Sequence, residues 1–167
     1  MRRSLQRQGL RPVYRRAWRV TTDSTHSLPV APNVLDRRFD GWQPDRAWVS
    51  DITFVRTGEG WLYLAAILDL ASRRVVGWSM SERIDAELVC QALHSACWQR
   101  KPAPELLLHT DRGVQYTSRT YRKLAAGFRA TISMSRRANA WDNAPMESFF
   151  KTLKVERIYQ VRYETQA

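Results

Sequence analysis

Residues 47–80 read AWVSDITFVRTGEGWLYLAAILDLASRRVVGWSM, and the fold is decided in this stretch. Ala47 to Val55 is rich in aromatic and β-branched side chains, the composition of a strand, and Thr57-Gly58-Glu59-Gly60 supplies turn chemistry. Trp61 to Leu70 is nearly all apolar and closes a hairpin with the first strand. Ser72-Arg73-Arg74 offers a further turn into Val75 to Met80, so the stretch predicts a three-strand antiparallel meander.

Downstream the period changes. Between Asp85 and Arg100, Ala86, Val89, Cys90, Leu93 and Cys97 recur at helical steps, and Pro102 and Pro104 close the segment. Glu105 to His109 reads as a short buried strand, and Thr117 or Ser118 can cap a helix running to Ala126, stopped by Gly127. A fifth strand, roughly Ala130 to Ser133, leads into a polar loop ending at Asp142. The stretch AWDNAPMESFFKTLKVERIY, residues 140–159, predicts a last helix with Asp142 or Asn143 as cap and Pro145 in its first turn. Met146, Phe149, Phe150, Leu153 and Arg157 form its packing stripe. A meander followed by alternating helices and strands predicts an α/β fold, one mixed five-stranded sheet with helices on both faces.

Upstream, residues 21–46 hold Pro29, Pro32 and Pro44 with little periodicity and read as an irregular linker. Residues 1–20 carry seven arginines and no acid, which fits a DNA-facing arm and a solvated basic extension equally. The expected division is an arm (1–20), a linker (21–46), a core (47–160) and a short tail (161–167).

With 167 residues and 44% apolar content, the chain suits one domain with a real core. No apolar run is long enough to span a bilayer and no signal peptide opens the chain, so a cytoplasmic protein without a membrane partner is expected. Cys90 and Cys97, seven helical residues and so about 10.5 Å apart, read as core residues and not as a disulfide. With no other cysteine nearby, zinc is not expected, and His94 reads as a surface or core histidine. The formal charge of +11, from 27 basic and 16 acidic side chains, points to nucleic acid as the partner.

Three carboxylates stand out. Asp51 lies mid-strand among Val49, Ile52, Phe54 and Val55, which suggests burial on both sides and a need for a cation, although backbone donors or an arginine would also satisfy it. Asp69, the competing acid, is explained by an ion pair with Arg73. Asp111 ends a strand, where α/β sheets place ligand sites, though Asp-Arg-Gly is also ordinary turn chemistry. His109, of the same parity, reads as a packed histidine or a support to Asp111. Glu147, in the first helical turn, can be a dipole-favoured acid paired with Lys151. Between Asp111 and Glu147 lie 147 − 111 − 1 = 35 residues, enough for a helix, a strand and a returning loop. Drawn together, the three would repel unless a divalent cation were bound, and oxygen-only ligation selects Mg²⁺ or Mn²⁺, as a pair of ions for in-line displacement at phosphorus. Arg112, Arg136, Arg137, Lys151 and, best placed, Lys154 are the candidate phosphate contacts.

WVSDIT around Asp51, GWLYLAAILDLASRRVVGWSM, HTDRGVQYTS around Asp111 and SMSRRANAWDNAPMESFFKTLKVERIY around Glu147 together resemble the catalytic core of insertion-sequence transposases of the OrfB type. These are members of the DDE superfamily that includes retroviral integrases. The resemblance implies an RNase H-like fold, with Asp51, Asp111 and Glu147 as the acidic triad and Lys154 as the basic residue seven positions on. It also implies two Mg²⁺ or Mn²⁺ ions, cutting of element ends, and strand transfer into target DNA by a homo-oligomer. A helix-turn-helix partner from an upstream frame is a further expectation. Relatives of this kind begin with a helical module and continue past the Glu-bearing helix, so a truncated, catalytically inactive DNA-binding remnant is the alternative expectation. A host nuclease with the same triad is another.

Overall fold

A computed structural model of the chain describes residues 28–137 and 139–166. The arginine-rich positions 1–20 lie outside the described residues. Three strands come first, β1 (Ala47–Arg56), β2 (Trp61–Asp69) and β3 (Val75–Ser81), followed by helix α1 (Ala86–Arg100). Then come β4 (Leu107–Thr110), a one-turn helix α2 (Val114–Thr117), α3 (Arg119–Gly127) and β5 (Thr131–Met134). A 3₁₀ turn at Ala140–Asn143 leads into α4 (Ala144–Glu156), with a last 3₁₀ turn at Ile158–Gln160. The expected boundaries hold to within two residues. The addition is α2, whose four residues are too few to show a helical period.

The five strands form one sheet in the order β3-β2-β1-β4-β5. The meander pairs antiparallel, β1 on β2 and β2 on β3. The pairs β1 with β4 and β4 with β5 are parallel. The sheet is therefore mixed, as the element order predicts. Its two faces carry separate cores. On one, Trp48, Ala65 and Ile67 pack with Leu88, Leu93 and Ala96 of α1 and Tyr121 of α3. On the other, Val49, Ala66 and Leu68 pack with Leu35, Met146 and Phe150.

Local chemistry explains the ends of the helices. Asp85 caps α1, its carboxylate accepting from the Leu88 amide, and Lys101 closes that helix in the left-handed region. Ser118 caps α3 in the same way, through the Tyr121 amide. Gly77 of β3 is required by a close approach, since a Cβ there would lie 2.5 Å from the Ala92 carbonyl oxygen and 2.6 Å from the Ala96 Cβ.

Four expectations need correction. Residues 28–46 are irregular, yet not a loose linker: Leu35 is fully buried, and Phe39 and Trp42 pack on the second core, a face that α4 alone covers with a helix among the described residues. Asp69 is buried and accepts from the Asp45 and Ser72 amides and the Ser72 hydroxyl, while Arg73 pairs with Asp40 instead. The reason is that a buried acid at a turn is satisfied by turn amides, whereas the arginine reaches outward. Asn143 takes the N-cap position of α4, one of the two residues expected there, but its side chain makes no capping bond, and Asp142 is engaged elsewhere. Arg157 drops out of the packing stripe because α4 ends before it, and it is exposed.

Beyond α4 the chain returns to the first hairpin. The Gly58 amide donates to the Tyr163 carbonyl at 2.9 Å, and Gln166 donates to the Glu59 carboxylate and to the Trp61 carbonyl. A Cβ on Gly58 would come within 2.7 Å of the Glu164 carbonyl oxygen, so glycine allows this contact.

Candidate active site

The parallel register of β1 and β4 determines where two of the carboxylates stand. Val49 pairs with His109, so Asp51 and Asp111 are each two residues beyond the same rung, on neighbouring strands whose usual spacing is about 5 Å. Asp111 follows directly on the carboxyl end of β4, while Asp51 lies within β1, paired with Ala66 of β2. Oδ1 of Asp111 accepts from the Gly113 amide at 2.9 Å, which folds the Asp-Arg-Gly corner back under the carboxylate. Oδ1 of Asp51 accepts from the Ile52 amide at 2.8 Å. Glu147 enters from the other layer, on the first turn of α4, where Met146 is wholly buried and Phe150 nearly so. Fully burying each such side chain stabilises by about 1.5–3 kcal/mol, so the helix that carries Glu147 is held by the residues flanking it.

The charges report on one another. Burial pushes the Asp51 carboxyl up to about 8, Asp111 and, more weakly, Glu147 add to the rise, and the Ile52 amide and Lys154 act against it. Asp51 thus feels both other acids, and at neutral pH it holds a proton unless positive charge arrives. Asp51 and Ile52 are only partly buried and Phe54 is exposed, so burial on both sides of this strand does not hold as a residue property. Among the described residues, no three His, Cys, Asp or Glu side chains are gathered closely enough to hold a metal ion. The triad is a neighbourhood of charge rather than a closed coordination shell.

The basic candidates divide. Lys154 is half-buried, its Nζ lies 4.6 Å from the Phe54 ring centroid, and burial lowers its pKa although Asp51 opposes this. It is the one lysine drawn toward Asp51. Lys151 and Arg137 are exposed. Arg112 is half-buried and its Nε donates to the Ser135 carbonyl at 2.6 Å. Arg136 is different from the expected free phosphate contact: its backbone amide, Nε and a terminal nitrogen all donate to Asp142, and it also pairs with Asp36. A fully buried carboxylate needs such a partner, and Arg136 supplies it from six positions upstream.

Sequence reasoning missed several residues around this site. Asp142, fully buried, gathers Arg37, Arg136 and Asn33, and so ties residues 33–37 to the turn before α4. The adjacent pair Asp142-Asn143 was the available signal, and its capping pattern concealed a long-range role. His109 is a packed histidine, as expected, bridging Ser133 Oγ at 2.8 Å and Ser135 Oγ at 3.1 Å. His94 is an exposed surface residue on α1, and Cys90 and Cys97 are buried free thiols. An open cleft of about 570 Å³ between α1 and α3 is lined by His94, Cys90 and Leu124, and none of the three carboxylates borders it.

Comparison with known proteins matches this arrangement to a family. The family described as "Integrase core domain" matches residues 42–140. Transposase InsF of insertion sequence IS3A from Escherichia coli (strain K12) is 47% identical over 156 residues, which cover 93% of this chain and 54% of that protein. An uncharacterized 31 kDa protein of insertion element IS600 from Shigella sonnei is 45% identical, over 92% of this chain and 57% of that protein. The chain therefore spans about half the length of the curated relatives it matches. Among solved structures, a simian T-cell lymphotropic virus intasome in complex with a PP2A regulatory subunit superposes with a TM-score of 0.64 at 18% identity, covering 80% of this chain and 45% of that one. The HTLV-2 integrase catalytic core domain, solved with magnesium, gives 0.58 at 17% identity, over 70% of this chain and 72% of that one. The fold is thus the RNase H-like fold of integrase cores. No helix among the described residues is long and apolar enough to cross a membrane.

Proposed function

The chain belongs to the integrase core domain family, and from that premise we propose that it is the catalytic core of an insertion-sequence transposase. The reaction is cleavage of DNA at the element's ends and transfer of the freed 3′ ends into target DNA. What supports this reading is that Asp111 and, more weakly, Glu147 both raise the Asp51 carboxyl, so the three acids lie within electrostatic reach of one another.

The donor set fits a hard divalent cation. All three groups are carboxylates, and the Asp51 carboxyl is raised first by burial and then by the negative charge of Asp111 and Glu147, which a bound cation would offset. Asp51, Asp111 and Glu147 would hold Mg²⁺ or Mn²⁺, two ions in the full arrangement. Bound ions supply neutralisation of charge at the attacked phosphodiester and a lowered pKa for the attacking water or hydroxyl. The chain's own residues do the rest. The β1–β4 register holds the two aspartates side by side, α4 presents Glu147, and Lys154, Lys151, Arg112 and Arg137 offer positive charge to the phosphates. The HTLV-2 relative's magnesium and the intasome relative support metal use and assembly on DNA. We place the action on bacterial DNA in the cytoplasm, in a homo-oligomer, with a helix-turn-helix protein from an upstream frame as partner for end recognition.

The deciding experiment gives the protein Mn²⁺ or Mg²⁺ and duplexes carrying the terminal repeats that flank its gene. Nicking and joining are expected, at least a thousand-fold reduced in Asp111→Asn, roughly the loss of one group that stabilises the transition state. Cleavage unaltered by Asp111→Asn would refute the assignment. Salt-sensitive DNA binding without cleavage under either metal would point to the inactive remnant instead.

A further inference from the structure

The parallel ladder between β1 and β4 pairs Ala47, Trp48 and Val49 and goes no further. The next residue, Ser50, therefore offers a backbone carbonyl that β4 no longer reaches, one position before Asp51. Nδ2 of Asn143 donates to it at 3.2 Å. The side chain of Ser50 is engaged as well: its hydroxyl donates to the Ala66 carbonyl at 3.0 Å and lies 3.0 Å from the Tyr116 hydroxyl. With the Ser50 proton committed to Ala66, Tyr116 is the donor in the second bond. All three residues are buried, at 2% exposure for Ser50, 1% for Tyr116 and 5% for Asn143.

These partners come from the elements that bear the three carboxylates. Tyr116 stands in α2, five residues after Asp111, and Asn143 immediately precedes α4, four residues and about one helical turn before Glu147. We propose that Ser50 is the joint that sets the spacing of the three carboxylates, and that Asn143 is a positioning residue for Glu147. The inference rests on the proposed carboxylate site and adds what holds that site in register. Met146 and Phe150 hold α4 against the sheet by apolar packing, which is non-directional, and Asp142 ties the turn before it to residues 33–37 and not to β1. The bond from Asn143 to a main-chain carbonyl beside Asp51 is directional, and fixes the position of the helix start along β1. A merely structural cap would face its own helix, and Asn143 makes no such bond.

The test is calorimetric titration with Mn²⁺, without DNA, on the wild type, Asp111→Asn, Asn143→Leu and Tyr116→Phe. Leucine keeps the volume of the asparagine and removes its donor; phenylalanine keeps the ring and removes the hydroxyl. Asn143→Leu should bind Mn²⁺ roughly 10–100-fold more weakly, the usual consequence of losing a group that orients a ligand, and raised Mn²⁺ should restore part of its nicking rate. Tyr116→Phe should weaken binding less, in the same direction, and decides the matter if Asn143→Leu does not fold. Mn²⁺ affinity unchanged in folded Asn143→Leu, whatever its melting temperature, would overturn the inference while leaving the site intact. Mn²⁺ binding that Asp111→Asn does not weaken would overturn the site reading, and the inference with it.

Discussion

Asp142 shows how much one side chain can organise. Its carboxylate accepts from the Arg136 side chain and amide, from Arg37 and from Asn33, all between 2.8 and 2.9 Å. The hydrogen bonds from Arg136 come first among the causes that hold its carboxyl well below the usual range, against the opposing effect of burial. A carboxyl depressed on folding stabilises the native state above its unfolded value, near 4, and that contribution is lost as pH falls through the folded value. Asp142→Asn should therefore cost on the order of 2–3 kcal/mol at pH 7, less than a wholly buried pair because the arginines are about half exposed. Urea midpoints of both proteins should differ by a constant amount above pH 5 and converge below pH 4. A gap that stays constant down to pH 3 would show that the carboxylate's charge is not what matters.

Among the elements, β3 and α1 approach each other closely at Gly77. Gly77→Ala would put its Cβ at 2.5 Å from the Ala92 carbonyl oxygen and 2.8 Å from the Ala96 amide nitrogen, and α1 would have to lift. Overpacking of this kind costs about 1–3 kcal/mol, so a lower urea midpoint with an unchanged slope is expected, and an unchanged midpoint would show that α1 yields freely. The elements themselves were legible in the sequence, because strands and helices declare their periods and Pro102, Pro104 and Gly127 mark their ends. That β4 lies beside β1, and so brings Asp111 near Asp51, could not be read, because the sequence carries no sign of which distant strands pair. What could not be read depends on contacts between distant residues. Nothing near Leu35 announces that it fills the second core, and nothing near Asp142 announces Arg37, 105 residues away. Arg136 and Arg137 look alike in sequence, and only the fold commits one of them to a buried acid.

For the whole molecule, the charge of +11 sets the expectation for DNA. Binding should fall steeply with salt, since each neutralised phosphate releases a counterion. Arg137→Ala, at an exposed position, should lower the slope of log affinity against log salt by about one, while Arg136→Ala should act mainly on stability. Filter binding between 50 and 200 mM salt, a range over which such contacts show clearly, separates these outcomes, and equal slopes for Arg137→Ala and wild type would remove that residue from the interface. The contact of Tyr163–Gln166 with the turn of the first hairpin has one more consequence, concerning the order in which the chain is made. Gln166 meets Glu59 and Trp61 across 107 and 105 positions of sequence, so the anchor beyond α4 cannot form until residues 163–166 have left the ribosome. The two aspartates can come together in the sheet while synthesis continues, but the third carboxylate gains its full support only once residues 163–166 have emerged. A chain extended only as far as α4 therefore carries all three carboxylates before the contact that follows them can form.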